Sequence, residues 1–280
     1  MTRAIAIALI LSCLAGAAWA GPVGAETIRL GGTGGPLEAM RLAGEAFHKT
    51  HPQTNVAIVP GLGSRGGIKA LQAGAVDVAV SATPAPAAEP GLMWVELGRT
   101  PIIFATASAR PGVSVTTADL VEILSGRKTT WPDGSRLRVI LRPNGDSDTA
   151  FLRAISPAMD RAVDDGFKLS GVKIAATDQD AADAIGSIPG AVGVTTLLQV
   201  RAEARPLTPL PVSGVAPGLA AIANGSYPYA KTLYFVMRAP AAGVVQEYLT
   251  FLASPAGREL LAGFGLQVSP GLIAALRGAK

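Results

Sequence analysis

The sequence predicts an α/β protein with a parallel sheet, because strand patterns and helix patterns alternate along its first third. Residues 27–30, 55–59 and 77–81 have strand patterns, and a stretch with apolar residues at helical spacing separates each from the next. This alternation is typical of parallel sheets covered by helices. A second α/β block follows between residues 101 and 262. We therefore expect two α/β lobes.

Each element has a local cause in the sequence. Pro52 ends the first helix, and Thr116 or Thr117 caps the third. In order, the predicted strands are 27–30, 55–59, 77–81, 101–107, 137–141, the turn and strand at 189–194, and 233–237. The predicted helices are 36–50, 68–74, 117–124, 150–159, 180–187, 244–253 and 256–262.

The first twenty residues have the pattern of a secretory signal peptide. Arg3 gives a positive start, residues 4–11 are apolar, and residues 18–20 (Ala-Trp-Ala) fit a cleavage site. A second cleavage site is open after Ala25. Lipid modification of Cys13 is a disfavoured alternative, because the three residues before it fit that pattern poorly. Without another cysteine, the exported chain forms no disulfide.

Composition and charge exclude several classes of protein. The chain is 49% hydrophobic and 16% charged, which is typical of a globular protein rather than a disordered one. The formal net charge is +4, and the basic residues are scattered without an aromatic-lined cluster. Nucleic acid is therefore not expected as a partner. After the leader no stretch approaches eighteen uninterrupted apolar residues, so we expect a soluble protein outside the cytoplasm.

Three turns have the composition of an oxyanion site. They are residues 31–35, 61–67 and 144–149, and each follows a predicted strand and precedes a predicted helix. A helix start offers unpaired N–H groups, glycine permits close approach, and Ser or Thr adds a hydroxyl. The second turn also matches the G-x-G-x-x-G pattern of dinucleotide binding, which an exported chain disfavours. Simple tight turns are the remaining alternative.

The third turn combines donors with acids. Ser147 and Thr149 offer hydroxyls, and Arg142 offers a charge-assisted donor. Asp146 and Asp148 either accept the proton of a protonated anion, or cap a helix or face solvent, and the sequence leaves these alternatives open.

Two histidines, His48 and His51, lie at a predicted helix end without supporting ligands, so no metal site is expected.

Several segments together resemble a known family. They are residues 28–37, 61–71, 76–81, 123–131, 189–194 and 227–236. Their order is similar to that of the phosphate-binding proteins of ABC phosphate importers. The resemblance implies a type II periplasmic-binding-protein fold, with the ligand cleft between two lobes. On this basis lobe 1 comprises residues 26–106 with 227–280, and lobe 2 comprises residues 107–226.

The resemblance also implies a set of ligand donors and reveals two departures. The implied donors are Thr33, Gly34, Ser64, Ser81, Arg142, Ser147 and Thr149. The third turn is one residue longer than the family pattern and carries the acids Asp146 and Asp148. Ala82 stands where the family usually has an aspartate that accepts the phosphate proton. The identity of the anion is therefore open.

The function expected from the resemblance is capture of a small tetrahedral oxyanion, phosphate or phosphate-like, for an ABC importer. We expect a monomeric periplasmic binding protein that uses no cofactor and catalyses no reaction. Its partner is expected to be an inner-membrane permease or a sensor receptor. The alternatives are a sensor subunit without a transport role, a pair of lobes that only mediates interactions, and an exported phosphoryl hydrolase using Ser64 or Ser147.

Overall fold

The computed structural model describes residues 26–86, 91–107, 109–110, 112–240 and 243–277. The predicted signal peptide and Cys13 lie outside the described residues. Within the described ranges, no helix has both the length and the apolar character needed to span a membrane.

Strands and helices alternate through the described part of the chain. In order, the strands are β1 (Glu26–Gly32), β2 (Thr54–Val59), β3 (Val78–Ser81), β4 (Leu92–Thr106), β5 (Arg138–Leu141), β6 (Lys173–Ile174), β7 (Ala191–Thr196), β8 (Thr208–Pro209), β9 (Ala230–Arg238) and β10 (Gln267–Val268). The helices are α1 (Leu37–His48), α2 (Gly63–Gln72), α3 (Thr117–Leu124), α4 (Ser147–Ile155), α5 (Pro157–Lys168), α6 (Asp178–Ser187), α7 (Leu197–Ala202), α8 (Leu219–Ala223), α9 (Gly243–Ala253), α10 (Pro255–Gly263) and α11 (Pro270–Arg277).

The strands form a mixed sheet in the order β2-β1-β3-β9-β4-β7-β5-β6, with β8 and β10 paired to β4. Strand β1 pairs in parallel with β2 and β3, and β5 pairs in parallel with β6 and β7. The long strands β4 and β9 run antiparallel to each other between these two groups. The predicted α/β class with parallel strands is confirmed.

Two apolar cores lie on either side of this pair of long strands. The first core contains Val95 and Leu97 from the start of β4, and the second contains Ile102 and Phe104 from its end. Strand β4 therefore passes from one core to the other, as expected of a strand that connects two lobes. The change falls between residues 97 and 102. The lobe boundaries at 106 and 227 remain a prediction.

The predicted single helix over 150–159 is wrong. The chain instead forms α4 and α5, because Ser156 adopts an extended conformation with φ −169°. Its side chain accepts a hydrogen bond from the N–H of Met159, and Pro157 occupies the first position of α5. Proline is well suited to that position, where its missing N–H has no partner to lose.

Glycine sets the close approach of β1 and β3. Gly32 has φ +139°, and a Cβ atom there would lie 2.0 Å from the carbonyl oxygen of Val80. The next residue, Thr33, donates its N–H to the same oxygen at 2.9 Å. Residues 31–32 therefore belong to β1, and the first predicted turn is shorter than the sequence indicated. Gly32 thereby fixes Thr33 and Gly34 at the carboxyl edge of the sheet.

We expect Gly32→Ala to destabilise the protein more than Gly61→Ala. Gly61 also has a positive φ, +76°, but no atom lies within 4 Å of the position that a Cβ atom would take there. Gly61→Ala should therefore lower the free energy of unfolding only by the cost of placing alanine in a left-handed backbone conformation, about 1–2 kcal/mol. Gly32→Ala adds a collision with main-chain atoms that cannot rotate away. Urea unfolding measures both, and equal losses would contradict the argument.

Candidate functional site

The carboxyl ends of the parallel strands and the starts of the following helices enclose a group of buried polar residues. In open α/β sheets this edge is where ligands bind. The group consists of Thr33, Ser81, Arg142, Asp148, Thr149, Asp178 and Lys231, each at most 9% exposed. Burial of polar groups is costly unless they are paired, so their partners define the chemistry of the site.

Helices α1 and α2 begin without a side-chain cap. Their N-cap residues are Pro36 and Leu62, and neither makes a side-chain hydrogen bond. The first N–H groups of such a helix are available to another acceptor. In the loop before α1, two residues ahead of the N-cap, Gly34 donates its N–H to Oδ2 of Asp178 at 2.7 Å.

The hydroxyls of Ser64 and Ser81 hold the loop that follows β3. Oγ of Ser64 accepts the N–H of Ala82 at 3.0 Å. Oγ of Ser81 donates to the carbonyl oxygen of Thr83 at 2.9 Å and accepts the N–H of Thr83 at 3.0 Å. The structure thus brings both predicted donors to the same loop, where they shape the backbone around Ala82.

The third turn is an acid-capped helix start. Asp146 is the N-cap of α4 and accepts the N–H of Asp148 at 2.8 Å. It also accepts Nη2 of Arg142 at 2.8 Å. Oγ1 of Thr149 donates to the carbonyl oxygen of Arg142 at 3.0 Å. Asp146 therefore caps the helix, whereas Asp148 is 3% exposed and does not face solvent.

Two charged residues that sequence reasoning did not identify complete the site. Asp148 forms a buried ion pair with Lys231 of β9. Asp178, the first residue of α6, accepts the N–H of Gly34, which lies in the loop before α1. The sequence did indicate that Lys231 is buried, because it lies on the same face of the strand as the apolar residues 233, 235 and 237. Asp178 lies within a capping box, which favours the interpretation of an ordinary first-turn acid.

Arg142 connects this cluster to the backbone. Nη1 donates to the carbonyl oxygen of Ala175 at 2.8 Å, and Nη2 lies 3.9 Å from Oδ2 of Asp178. Nε is buried and has no hydrogen-bond partner among the described residues. An orphaned guanidinium N–H in this position is suited to an oxygen of a ligand.

The cluster places three carboxylates against two cations. Burial, and next the negative charge of Asp148, raise the pKa of Asp178 above its ordinary value, although Lys231 and Arg142 oppose the shift. Burial alone would lower the pKa of Lys231, but the carboxylates of Asp148 and Asp178 outweigh it and raise that pKa. Lys231 is therefore a charged ammonium at neutral pH, while ionised Asp178 is disfavoured.

A cleft of about 360 Å³ adjoins the cluster. Its lining includes Ala82, Thr83, Ser147, Phe151 and Lys231. Nζ of Lys231 lies 3.4 Å from Oγ of Ser147. Ser147 is thus the predicted donor that lines the cleft itself, while Ser64 and Ser81 act through the backbone of the loop beside it.

No metal centre is evident at this edge of the sheet. Within the described ranges, no three His, Cys, Asp or Glu side chains are grouped to hold a metal ion. The His48 ring contacts the carbonyl oxygen of Thr54 at 2.8 Å, and the ring of His51 stacks on Phe47.

Several solved structures with a similar fold are described as phosphate-binding or phosphate-transport proteins. One similar structure, from Clostridium perfringens, is described as a phosphate ABC transporter substrate-binding protein with bound phosphate. It has a TM-score of 0.73 and 18% sequence identity, and the match covers 87% of this chain and 100% of that protein. A phosphate-binding protein from Stenotrophomonas maltophilia has a TM-score of 0.63 at 15% identity, covering 90% and 93%. An ABC-type phosphate transport receptor from Vibrio cholerae has a TM-score of 0.60 at 19% identity, covering 87% and 100%.

The sequence itself establishes the family. The family described as the PBP superfamily domain matches residues 17–256, so this chain belongs to that family. The predicted periplasmic-binding-protein fold is confirmed, and so is the resemblance in fold to phosphate-binding proteins. No curated protein is similar enough in sequence to match the chain.

We expect Lys231→Met to destabilise the protein by about 3–5 kcal/mol, because it leaves buried carboxylates facing a single cation. The double variant K231M/D148N should lose less than K231M alone, since it removes one of the uncompensated charges. Lys168→Met, at a pair whose lysine is 74% exposed, should change stability by no more than about 0.5 kcal/mol. Urea unfolding gives all three values, and strictly additive costs in the double variant would contradict a coupled buried pair.

We expect Asp178→Asn to stabilise the protein at neutral pH. A carboxyl whose pKa is raised in the folded state adds stability below its unfolded pKa, and that stability is lost as pH rises through the folded pKa. Ionised Asp178 is therefore a cost at neutral pH, and the amide removes this cost because it carries no charge. The advantage of D178N should shrink as pH falls towards about 4. An advantage that is constant with pH would contradict the titration of Asp178.

Proposed function

We propose that this chain is an exported solute-binding protein that captures a small tetrahedral oxyanion, phosphate or a phosphate-like anion, for an ABC importer. The ligand is held between the two lobes at the carboxyl edge of the sheet. Closure of the lobes around it presents a surface that a membrane permease recognises. Binding is non-covalent and uses no cofactor.

The observation that carries this proposal is a carboxyl oxygen already held between Gly34 and Arg142. Oδ2 of Asp178 accepts the N–H of Gly34 and lies 3.9 Å from Nη2 of Arg142. Backbone N–H groups in glycine-rich turns and buried guanidinium groups also bind oxyanions. The contact that the chain's own carboxyl group makes here supports an oxyanion at this position.

Further donors surround that position. Arg142 Nε lacks a partner among the described residues, Ser147 lines the adjacent cleft, and Lys231 beside it carries a positive charge. Neutral dipoles and two cations together can hold an anion whose charge is spread over several oxygens. The structurally similar proteins are themselves named for phosphate, which supports a phosphate-like ligand for this chain.

The hydrolase alternative lacks a base. Nζ of Lys231 lies 3.4 Å from the hydroxyl of Ser147, but the raised pKa of Lys231 keeps this amine protonated. A protonated lysine cannot accept the serine proton, so it acts as a donor and a countercharge. Ser64 accepts a backbone N–H and serves the loop after β3. The geometry therefore favours a binding protein, whether a permease or a sensor receptor recognises its closed form.

We expect titration calorimetry of the mature protein to show one oxyanion bound per chain. The ligands tested are phosphate, sulfate, arsenate, molybdate and a phosphonate. Arg142→Gln should weaken binding by about 10- to 100-fold, because it removes a charge-assisted donor from a desolvated site. Ser147→Ala should weaken it by about tenfold.

The matched controls are Arg127→Gln and Ser187→Ala, at exposed positions away from the cleft. Both should bind as the wild type does. An absence of heat with every oxyanion would overturn the proposed ligand class, and release of product from a chromogenic phosphoester would revive the hydrolase.

A further inference from the structure

We propose that Asp178 is an internal competitor for the oxyanion, so that the anion binds with the uptake of a proton by this carboxyl group. Without ligand, the Asp178 carboxylate occupies the position between Gly34 and Arg142 that an oxyanion needs. This inference rests on the proposed function, and it assigns to Asp178 the control of affinity and of its dependence on pH.

The geometry supplies the first step. Asp178 is the first residue of α6, and its carboxylate crosses the cleft to the start of α1. A Cβ atom built on Gly34 would lie 2.6 Å from Oδ2 of Asp178 and 2.8 Å from Oε1 of Gln179. The space beside the Cα atom of Gly34 is therefore filled, and its N–H is already bonded to Asp178, so a ligand oxygen can reach this N–H only if the carboxylate gives way.

Gln179, the next residue of α6, makes a second contact with Gly34. Nε2 of Gln179 donates to the carbonyl oxygen of Gly34 at 3.3 Å and to Oε1 of Glu203 at 2.8 Å. Residues 178 and 179 thus contact both the N–H and the carbonyl group of Gly34. Asp178 accepts a hydrogen bond from the first turn as a bound anion would, and Gln179 donates one to the carbonyl group of Gly34.

The charge balance supplies the second step. The charged groups around Asp178 are Arg142 after β5, Asp146 and Asp148 at the start of α4, and Lys231 on β9. Glu203, at the end of α7, reaches it through Gln179. With all of the inner groups ionised, three carboxylates face two cations. An entering anion would add further negative charge to a buried cluster that is already in excess of negative charge.

Protonation of Asp178 removes that excess. The two cations then balance Asp146 and Asp148, and the site accepts an anion with less repulsion. The neutral carboxyl also has an O–H that can donate to a ligand oxygen. Burial and the charge of Asp148 already favour this neutral form by raising the pKa of Asp178. An added anion favours it further, so binding and protonation are linked.

The linkage predicts the direction of the pH effect. Affinity should fall as pH rises through the pKa of Asp178, by up to about tenfold per pH unit. This slope differs from that of a protein that selects a protonated ligand, because it belongs to the protein and persists with an anion that does not titrate. Sulfate is such an anion, since it stays fully ionised between about pH 5 and pH 9.

The experiment is calorimetric titration of the mature wild-type protein and Asp178→Asn with sulfate and phosphate between pH 5 and pH 9. We expect D178N to bind sulfate at least about tenfold more tightly than the wild type at pH 8, with an affinity nearly independent of pH. The matched control is Asp165→Asn, the same charge change at an exposed residue of α5, which should shift affinity by less than about twofold.

A second measurement needs no variant. Wild-type titrations in two buffers of different ionisation enthalpy give the number of protons taken up with sulfate, and we expect a value between zero and one that rises with pH. Sulfate binding without proton uptake, or weaker binding by D178N, overturns the role of competitor and leaves the proposed function standing. Binding of phosphate without sulfate also overturns it, because Asp178 would then be the acceptor of the ligand's proton. No binding of any oxyanion to either protein overturns both proposals.

Discussion

Pairing of the buried charges at the carboxyl edge of the sheet is the constraint on which the site depends. Arg142, Asp148, Asp178 and Lys231 are each at most 9% exposed, and a charge at such depth persists only beside a partner. Lys231 lies opposite Thr100, where β9 and β4 cross between the two cores. Its pair with Asp148 therefore ties the start of α4 to the crossing strands. These pairs therefore fix the relative positions of several elements.

The long strands β4 and β9 explain how such a cluster forms. Each passes from one apolar core to the other, so the carboxyl edges of two parallel groups of strands face the same cleft. The start of α1 then meets the start of α6, and Gly34 comes within hydrogen-bond distance of Asp178. Under the proposed function, a ligand at this point would contact the starts of both helices, as closure driven by binding requires.

The cluster shows what the two acids of the longer third turn contact. Asp146 and Asp148 occupy the longer third turn as a helix cap and as the partner of Lys231. Whether either of them also accepts a ligand proton, in place of the aspartate that the family usually has at position 82, remains a prediction. Asp178 introduces a carboxyl group at the anion position from a different helix. This contact between the Asp178 carboxyl group and Gly34 is the basis of the proposed competition with the ligand.

The sequence by itself determined the fold class and the three turns. Strand and helix periodicities are local, and so are the glycine and hydroxyl residues of residues 31–35, 61–67 and 144–149. These local signals located the helix starts that surround the cleft. They failed at Ser156, where a side-chain cap and a proline divide one apparent helix into two.

Only the tertiary structure decided what those turns bind within the chain. The contact of Gly34 with Asp178 spans 144 positions, and that of Lys231 with Asp148 spans 83. Periodicity carries no information about which distant charge enters a cleft, because pairing depends on how the sheet brings its strand ends together. The sequence therefore identified donors for an anion, and the fold showed that one of them already holds a carboxylate.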